Sequence, residues 1–210
     1  MSEKVRVLHV ITRLIRGGAD ENTVFTVEGV DPDRYDSHIL AGRGSEVSGF
    51  SPDIQRRTVV EPFLVRDPHP WWDLVALYRL ARVMRDGKYH IVHTHTAKGG
   101  FVGRLAARIA GVPHVVHTLH GVTFHDHIHP AVRRIYVLLE RFAAPFCDVM
   151  ISVGDDVKRK YQEEAIGKTD QYITIPSGMD TQPFRAARED PDVGRNPVRE
   201  EFGFADDDLV

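Results

Sequence analysis

Val5-Arg6-Val7-Leu8-His9-Val10-Ile11-Thr12, followed by Arg16-Gly17-Gly18 and then Ala19-Asp20-Glu21, decides the architecture. The first eight residues are short, rich in β-branched side chains and mostly apolar, which suits a strand covered on both faces. The glycine pair ends that strand, and a helix is expected from residue 19 to residue 27. The same alternation continues outward. Residues 35–41 read as a second strand and 55–60 as a third. Residues 71–86 place apolar side chains at 71, 74, 75, 77, 78, 80 and 84, a helical spacing stopped by Gly87. Strands expected at 90–94, 113–120, 148–153 and 172–176 are separated by helices at 99–110, 130–146 and 155–165. Strands alternating with helices of ten or more residues predict an α/β fold: a doubly wound, Rossmann-like parallel sheet with helices on both faces.

Composition narrows the function classes. The 210 residues carry 27 Lys and Arg against 30 Asp and Glu, a net charge of -3. Neutralising a nucleic-acid backbone needs a concentrated cationic excess, so no nucleic-acid partner is expected. The single cysteine, Cys147, excludes an intrachain disulfide framework and fits a reducing compartment. No apolar run reaches the roughly 18 residues of a membrane span, and the N-terminus has no signal-peptide pattern. The expectation is a cytoplasmic globular protein. Residues 1–178 read as one Rossmann-like domain. Residues 179–210 read as a linker, a short helix at 196–203, and the opening of a further domain at which the chain stops.

Standard phosphate signatures are absent. The first strand-to-helix turn holds only Gly17-Gly18, short of a dinucleotide fingerprint, and Gly167-Lys168-Thr169 lacks the first glycine of a P-loop. Gly17-Gly18 still allows backbone N–H groups at a helix start to approach an anion, although a plain tight turn explains it equally well. Histidine is the abundant reactive type, with 12 copies. His93 and His95 share a strand face, His114, His117 and His120 follow along the next strand, and His125, His127 and His129 sit in the loop after it. None forms a recognised zinc spacing with a third ligand close in sequence, so no metal is expected. His95 and His120, at the carboxyl ends of two strands, are placed to bond sugar hydroxyls or stabilise developing charge. The helix at 130–146 sets Arg133, Arg134 and Arg141 beside Ile135, Val137, Leu138, Leu139 and Phe142. It reads as a core-facing stripe with a solvated edge, and alternatively as a helix resting on anionic lipid.

In this order the motifs resemble one family. Gly-Gly-Ala-acid after the first strand, His93-Thr94-His95 with Lys98, Gly103-Arg104-Leu105-Ala106-Ala107-Arg108, His117-Thr118-Leu119-His120-Gly121, and Ile175-Pro176-Ser177-Gly178-Met179-Asp180 with Phe184 are similar to the N-terminal domain of family-4 glycosyltransferases of the GT-B fold. The resemblance implies the N-terminal half of a two-domain enzyme that transfers a sugar from a sugar nucleotide, such as a UDP- or GDP-sugar, with retention of configuration. The implied acceptor is a glycan, a lipid-linked sugar or a small molecule. It also implies that no metal or other cofactor is needed, and that His120 is the catalytic position. Gly17 and Gly18 would face the donor phosphate and acceptor, and His95, Lys98 and Gly121 the acceptor side. Most of the donor site would lie in a second domain beyond Val210, so the isolated chain is expected to be inactive. A location at the inner face of the membrane, by peripheral contact, fits a lipid-linked acceptor. Two rival readings are a non-catalytic glycan-binding module and a sugar-nucleotide epimerase of the same fold. Asp20 in place of Glu, Ser177 in place of Asn, and Gly154 in place of a capping Ser are the departures from the family pattern.

Overall fold

The computed structural model describes residues 3–125, 128–179, 181, 182, 185 and 201–204. Contacts divide the chain into two compact units, Met1–Ser177 and Gly178–Val210. The first unit holds seven strands: β1 (Val5–Ile11), β2 (Tyr35–Gly42), β3 (Thr58–Glu61), β4 (Ile91–His95), β5 (His114–Leu119), β6 (Val149–Ser152) and β7 (Tyr172–Thr174). Its helices are α1 (Gly18–Gly29), α2 (Pro52–Arg57), α3 (Pro70–Asp86), α4 (Ala97–Ala110), α5 (Pro130–Ala143) and α6 (Asp155–Glu163). Every strand pair is parallel, in the order β3-β2-β1-β4-β5-β6-β7. The doubly wound Rossmann-like sheet expected from the sequence is therefore present. The direction of winding reverses once, between β1 and β4, and in open parallel sheets ligands bind at the strand carboxyl ends beside that reversal.

Both faces of the central strands are covered because apolar side chains point to each. Leu8, Val10, Val92 and Val115 pack with Leu80 and Met84 of α3 and Val102 and Ala106 of α4. Ile11 and Ile39 pack on the other face with Val24 and Val27 of α1 and Ile54 of α2. Helix α4 lies unusually close to the sheet. A Cβ at Gly100 would stand 2.3 Å from His117 Cε1, and one at Gly103 would stand 2.6 Å from Thr94 Cγ2. Only glycine fits at either place.

Two expectations are corrected. The third strand begins at Thr58, and Gln55–Arg57 end helix α2. Pro52 stands in the first turn and the Ser51 hydroxyl accepts from Ile54 N–H at 3.3 Å, a start signal that outweighs the strand-forming residues that follow. Helix α5 does not turn its apolar stripe to the core. Val137, Glu140 and Ala143 face inward, while Ile135, Leu138 and Phe142 are more than half exposed. The inner line is short and polar because it receives a buried ion pair: Arg104 Nη2 donates to Glu140 Oε2 at 2.8 Å. Of the helix expected at 196–203, only Glu201 to Gly203 are described, with Glu201 and Phe202 helical. The remainder of that segment, Asp180, Phe184 and His127 lie outside the described residues.

Candidate functional site

The reversal between β1 and β4 holds a cleft of about 600 Å³. Thr12, Arg13 and Asp20 reach it from the β1–α1 connection, and Thr96 and Lys98 from the start of α4. Phe101, Tyr136 and Leu139 supply an apolar wall from α4 and α5. Thr12 Oγ1 and Thr96 Oγ1 are 2.8 Å apart and knit the two strand ends together. Thr96 adopts φ 63°, a region costly for a β-branched residue, and strain of this kind persists where surrounding contacts hold it. Asp20 Oδ2 accepts from Ile15 N–H at 3.0 Å, and burial is the chief cause of a carboxyl pKa above its ordinary value.

Lys98 lines this cleft, and its ammonium is already engaged. Its ammonium pairs with Asp73 Oδ1 at 2.6 Å and donates to the Asp67 carbonyl. Gly17 caps α1 without any side-chain hydrogen bond, and a Cβ at Gly18 would meet nothing within 4 Å. As at any helix start, the first amides of α1 lack intrahelical partners, and the acids Asp20 and Glu21 stand in the same turn. Gly121 follows β5, is exposed, and has open space of the same kind. Gly17, Gly18, His95, His120 and Gly121 do not line the cleft itself.

His95 and His120 are brought together. His9 Nδ1 lies 3.1 Å from His95 Nε2, and His95 Nδ1 lies 3.1 Å from His120 Nε2. His9 and His95 are buried, and His120 is half-buried. Burial lowers the pKa of all three, to about 4 for His9 and His120, so the rings are neutral near pH 7. Neutral imidazole has one N–H, so each of the two contacts holds one proton and both must point the same way along the chain. In one orientation His120 keeps its proton on Nδ1, and in the other Nδ1 offers a lone pair. The triad can thus present His120 Nδ1 as donor or acceptor without any ring becoming charged. His95 is fully buried, and its partner His120 is partly exposed. His117 points the other way, with Nδ1 at 2.9 Å from Thr94 Oγ1 and its ring against Gly100.

His9, His93 and His95 place one ring nitrogen each within 4.8 Å of one another, which makes them the candidate metal group among the described residues. Neutral imidazole is the ligating form. His93 Nε2 is already engaged by Thr118 Oγ1 at 2.7 Å, and His9 and His95 are engaged with each other. An ion would have to replace those bonds. Spacing along the sequence shows only His93 and His95 together. His9 arrives from β1, through the register His9↔His93.

Sequence reading missed His9, Thr12, Thr96 and the Arg104–Glu140 pair. Thr12 and His9 stand in the opening stretch, yet only the strand order makes them neighbours of β4. Arg104 was visible within the quoted glycine-arginine motif, without its partner.

Comparison with known proteins identifies the family. The model of glycosyltransferase family 4 matches residues 7–183. A UDP-Gal:α-D-GlcNAc-diphosphoundecaprenol α-1,3-galactosyltransferase of Escherichia coli is 30% identical over 184 residues, covering 88% of this chain and 47% of the relative. A glycosyltransferase from Rickettsia africae superimposes with a TM-score of 0.70 at 17% identity, over 98% of this chain and 51% of that one. A UDP-N-acetylglucosamine 2-epimerase from Rickettsia bellii gives 0.64 at 13% identity, over 97% and 52%. The chain spans about half the length of the proteins it matches, and its fold is one Rossmann-like half of the GT-B architecture. By its sequence, its strand order and these likenesses, the chain belongs to glycosyltransferase family 4.

Proposed function

We propose that the chain is the acceptor-side half of a retaining glycosyltransferase that moves a sugar from a nucleotide diphosphate to a lipid-linked acceptor at the cytoplasmic face of a membrane. In this reading residues 1–178 form the catalytic half-domain and 179–210 lead into a second domain that holds most of the donor. The carrying observation is the cleft at the β1–β4 reversal, which joins hydroxyl and carboxylate groups at one end to an aromatic and aliphatic wall at the other. That combination suits a sugar attached to an apolar carrier. The Escherichia coli relative, whose name specifies a diphosphoundecaprenol-linked acceptor, supports the acceptor class.

In the proposed reaction the acceptor hydroxyl oxygen bonds to the anomeric carbon as the bond to the diphosphate breaks, and the hydroxyl proton passes to the departing phosphate. His120 bonds the donor sugar, with its Nδ1 set by His95 and His9. Gly17 and Gly18 leave the first amides of α1 open to the diphosphate, so negative charge builds where donors are already oriented. Lys98 holds the cleft wall through Asp73, and Gly121 lets backbone approach the acceptor. No step calls on a metal.

The test joins this chain to the remainder of its two-domain protein and supplies UDP- and GDP-sugars with a polyprenyl diphosphate sugar. Acceptor-dependent release of nucleoside diphosphate, with an α-linked product from an α-linked donor, is expected. The epimerase-like fold of the Rickettsia bellii protein favours one rival. Conversion of the sugar nucleotide without acceptor would establish it and overturn the proposal. Binding of acceptor without turnover would leave a glycan-binding module.

A further inference from the structure

We infer that Arg13 and Arg66 are specificity-determining residues of the cleft, which grip the diphosphate that joins the acceptor sugar to its apolar carrier. The inference rests on the lipid-linked acceptor reading above and deepens it, by naming the groups that recognise the link itself. Both arginines line the cleft. Arg13 is half-buried and follows Thr12 past the carboxyl end of β1, and Arg66 is exposed on the connection from β3 to α3. Among the described residues neither guanidinium makes a hydrogen bond or an ion pair. Each therefore offers a planar fork of five N–H donors with no acceptor of its own, the geometry that matches phosphate oxygens two at a time.

The other charges that line the cleft already have partners. Lys98 is paired with Asp73 at 2.6 Å, and Asp73 Oδ2 also accepts from His69 N–H at 3.0 Å. Glu140 is paired with Arg104 at 2.8 Å. Asp20 accepts from Ile15 N–H at 3.0 Å, and its charge is felt by Arg13 without an ion pair between them. Three acids thus stand in the lining, each with a hydrogen bond or ion pair of its own, and the two arginine forks remain open. The Arg66 loop is also tied down. Lys98 donates to the carbonyl of Asp67, so the residue after Arg66 is fixed to the start of α4. A diphosphate diester carries two negative charges, one for each fork, whereas an uncharged glycan leaves both unmatched.

Two diphosphates enter the proposed reaction, that of the acceptor and that of the donor nucleotide. The lining favours the first. Phe101, Tyr136 and Leu139 stand in the same cleft as the two forks. An acceptor of this class has an anionic link followed by an apolar chain, and the cleft offers cations and an apolar wall together. A nucleoside diphosphate has no apolar chain to lay on that wall.

Isothermal titration of the 210-residue chain with an α-GlcNAc decyl diphosphate diester measures the grip directly, with decyl α-GlcNAc and UDP as comparisons. The diester is expected to bind about tenfold more tightly than the uncharged decyl glycoside, with an affinity that falls as salt rises. R13Q and R66Q should each keep the circular dichroism of the parent, weaken the diester by about tenfold and leave UDP binding unchanged. R13K and R66K should retain part of the affinity, because the charge survives while the fork is lost. R82Q, which removes an exposed arginine paired with Asp86 outside the cleft, should match the parent. In the joined two-domain protein, R13Q and R66Q should raise the acceptor KM by about tenfold and leave the donor KM unchanged. Equal binding of diester and glycoside, or diester binding unaffected by R13Q and R66Q, overturns the inference. So does a loss of UDP binding or a rise in donor KM in place of the acceptor effects, which would give the forks to the donor diphosphate. Diester binding that depends on both arginines, without turnover in the joined protein, would count against the transferase reading alone. Turnover with an unchanged acceptor KM in both variants would count against this inference alone.

Discussion

Acidification is the perturbation for which the structure gives the clearest magnitude. Five histidines of the central strands, His9, His93, His95, His117 and His120, have pKa values lowered chiefly by burial from an ordinary 6.5. A base whose folded pKa is depressed binds fewer protons folded than unfolded, so its contribution to stability is complete above 6.5 and is lost as pH falls below it. Between pH 7 and pH 5 each ring that stays neutral in the fold costs about 2 kcal/mol by proton linkage. His9, His95 and His117 are at most 2% exposed, and together they remove about 5–6 kcal/mol. His93, lowered well below its ordinary value, and His120, lowered to about 4 like His9, act in the same sense, as does His38, whose pKa is also lowered by burial against the opposing pull of Asp36. Asp20 acts in the opposite sense, because burial raises its carboxyl pKa, but only as pH approaches the carboxylate range. Against a total stability of about 5–15 kcal/mol for an ordinary domain, the protein should be close to unfolding at pH 5. Urea titrations followed by circular dichroism at pH 7, 6 and 5 would measure this. His9→Gln should lower stability at pH 7 and shrink the difference between pH 7 and 5 by about 2 kcal/mol. A loss below about 1 kcal/mol over that range would refute the assignment of these rings as neutral and buried.

Three further outcomes follow from the structure. Glu140→Ala leaves Arg104 charged and buried, and should cost about 3–5 kcal/mol in urea unfolding, while the double change R104M/E140L should recover most of it. In the proposed two-domain enzyme His120→Ala should lower kcat about 10²–10³-fold with the fold retained, and His117→Ala, on the opposite strand face, should keep near-normal turnover in the folded fraction. That enzyme should keep its activity after EDTA treatment and dialysis. About one zinc per chain in metal analysis, removed together with activity by His93→Ala or His95→Ala, would place an ion among the three clustered histidines.

The fold was legible because its signal is repeated. Seven apolar segments separated by helical spacings specify a parallel sheet, and errors of one to three residues at each end change nothing in the layer order. The lapse at Gln55 to Arg57 shows the limit. Three residues hold no period, and only the Ser51-Pro52 start reveals a helix. The candidate site was less legible. His95 and His120 could be read from their places at strand ends, but their bond to His9 depends on β1 lying beside β4, 84 residues away along the chain at Val7↔Ile91. The outward stripe of α5 was misread for a related reason. A moment of hydrophobicity has a direction on the helix, but nothing local states which way the sheet lies. Glu140, placed inside the apolar pattern, was the clue, because a lone acid among leucines is explained when a buried arginine waits behind it.

The reversal of strand order also sets the order in which the protein can be made. When β1 leaves the ribosome its neighbour on one side, β2, follows within about 30 residues, but its neighbour on the other side, β4, does not exist until residue 91. At about 5–20 residues per second, one edge of β1 waits roughly 4–17 s for its partner. An unpaired, flat, β-branched edge is a template for another chain. Until His93 reaches His9, the nascent protein therefore offers its central strand to any neighbour synthesised on the same message.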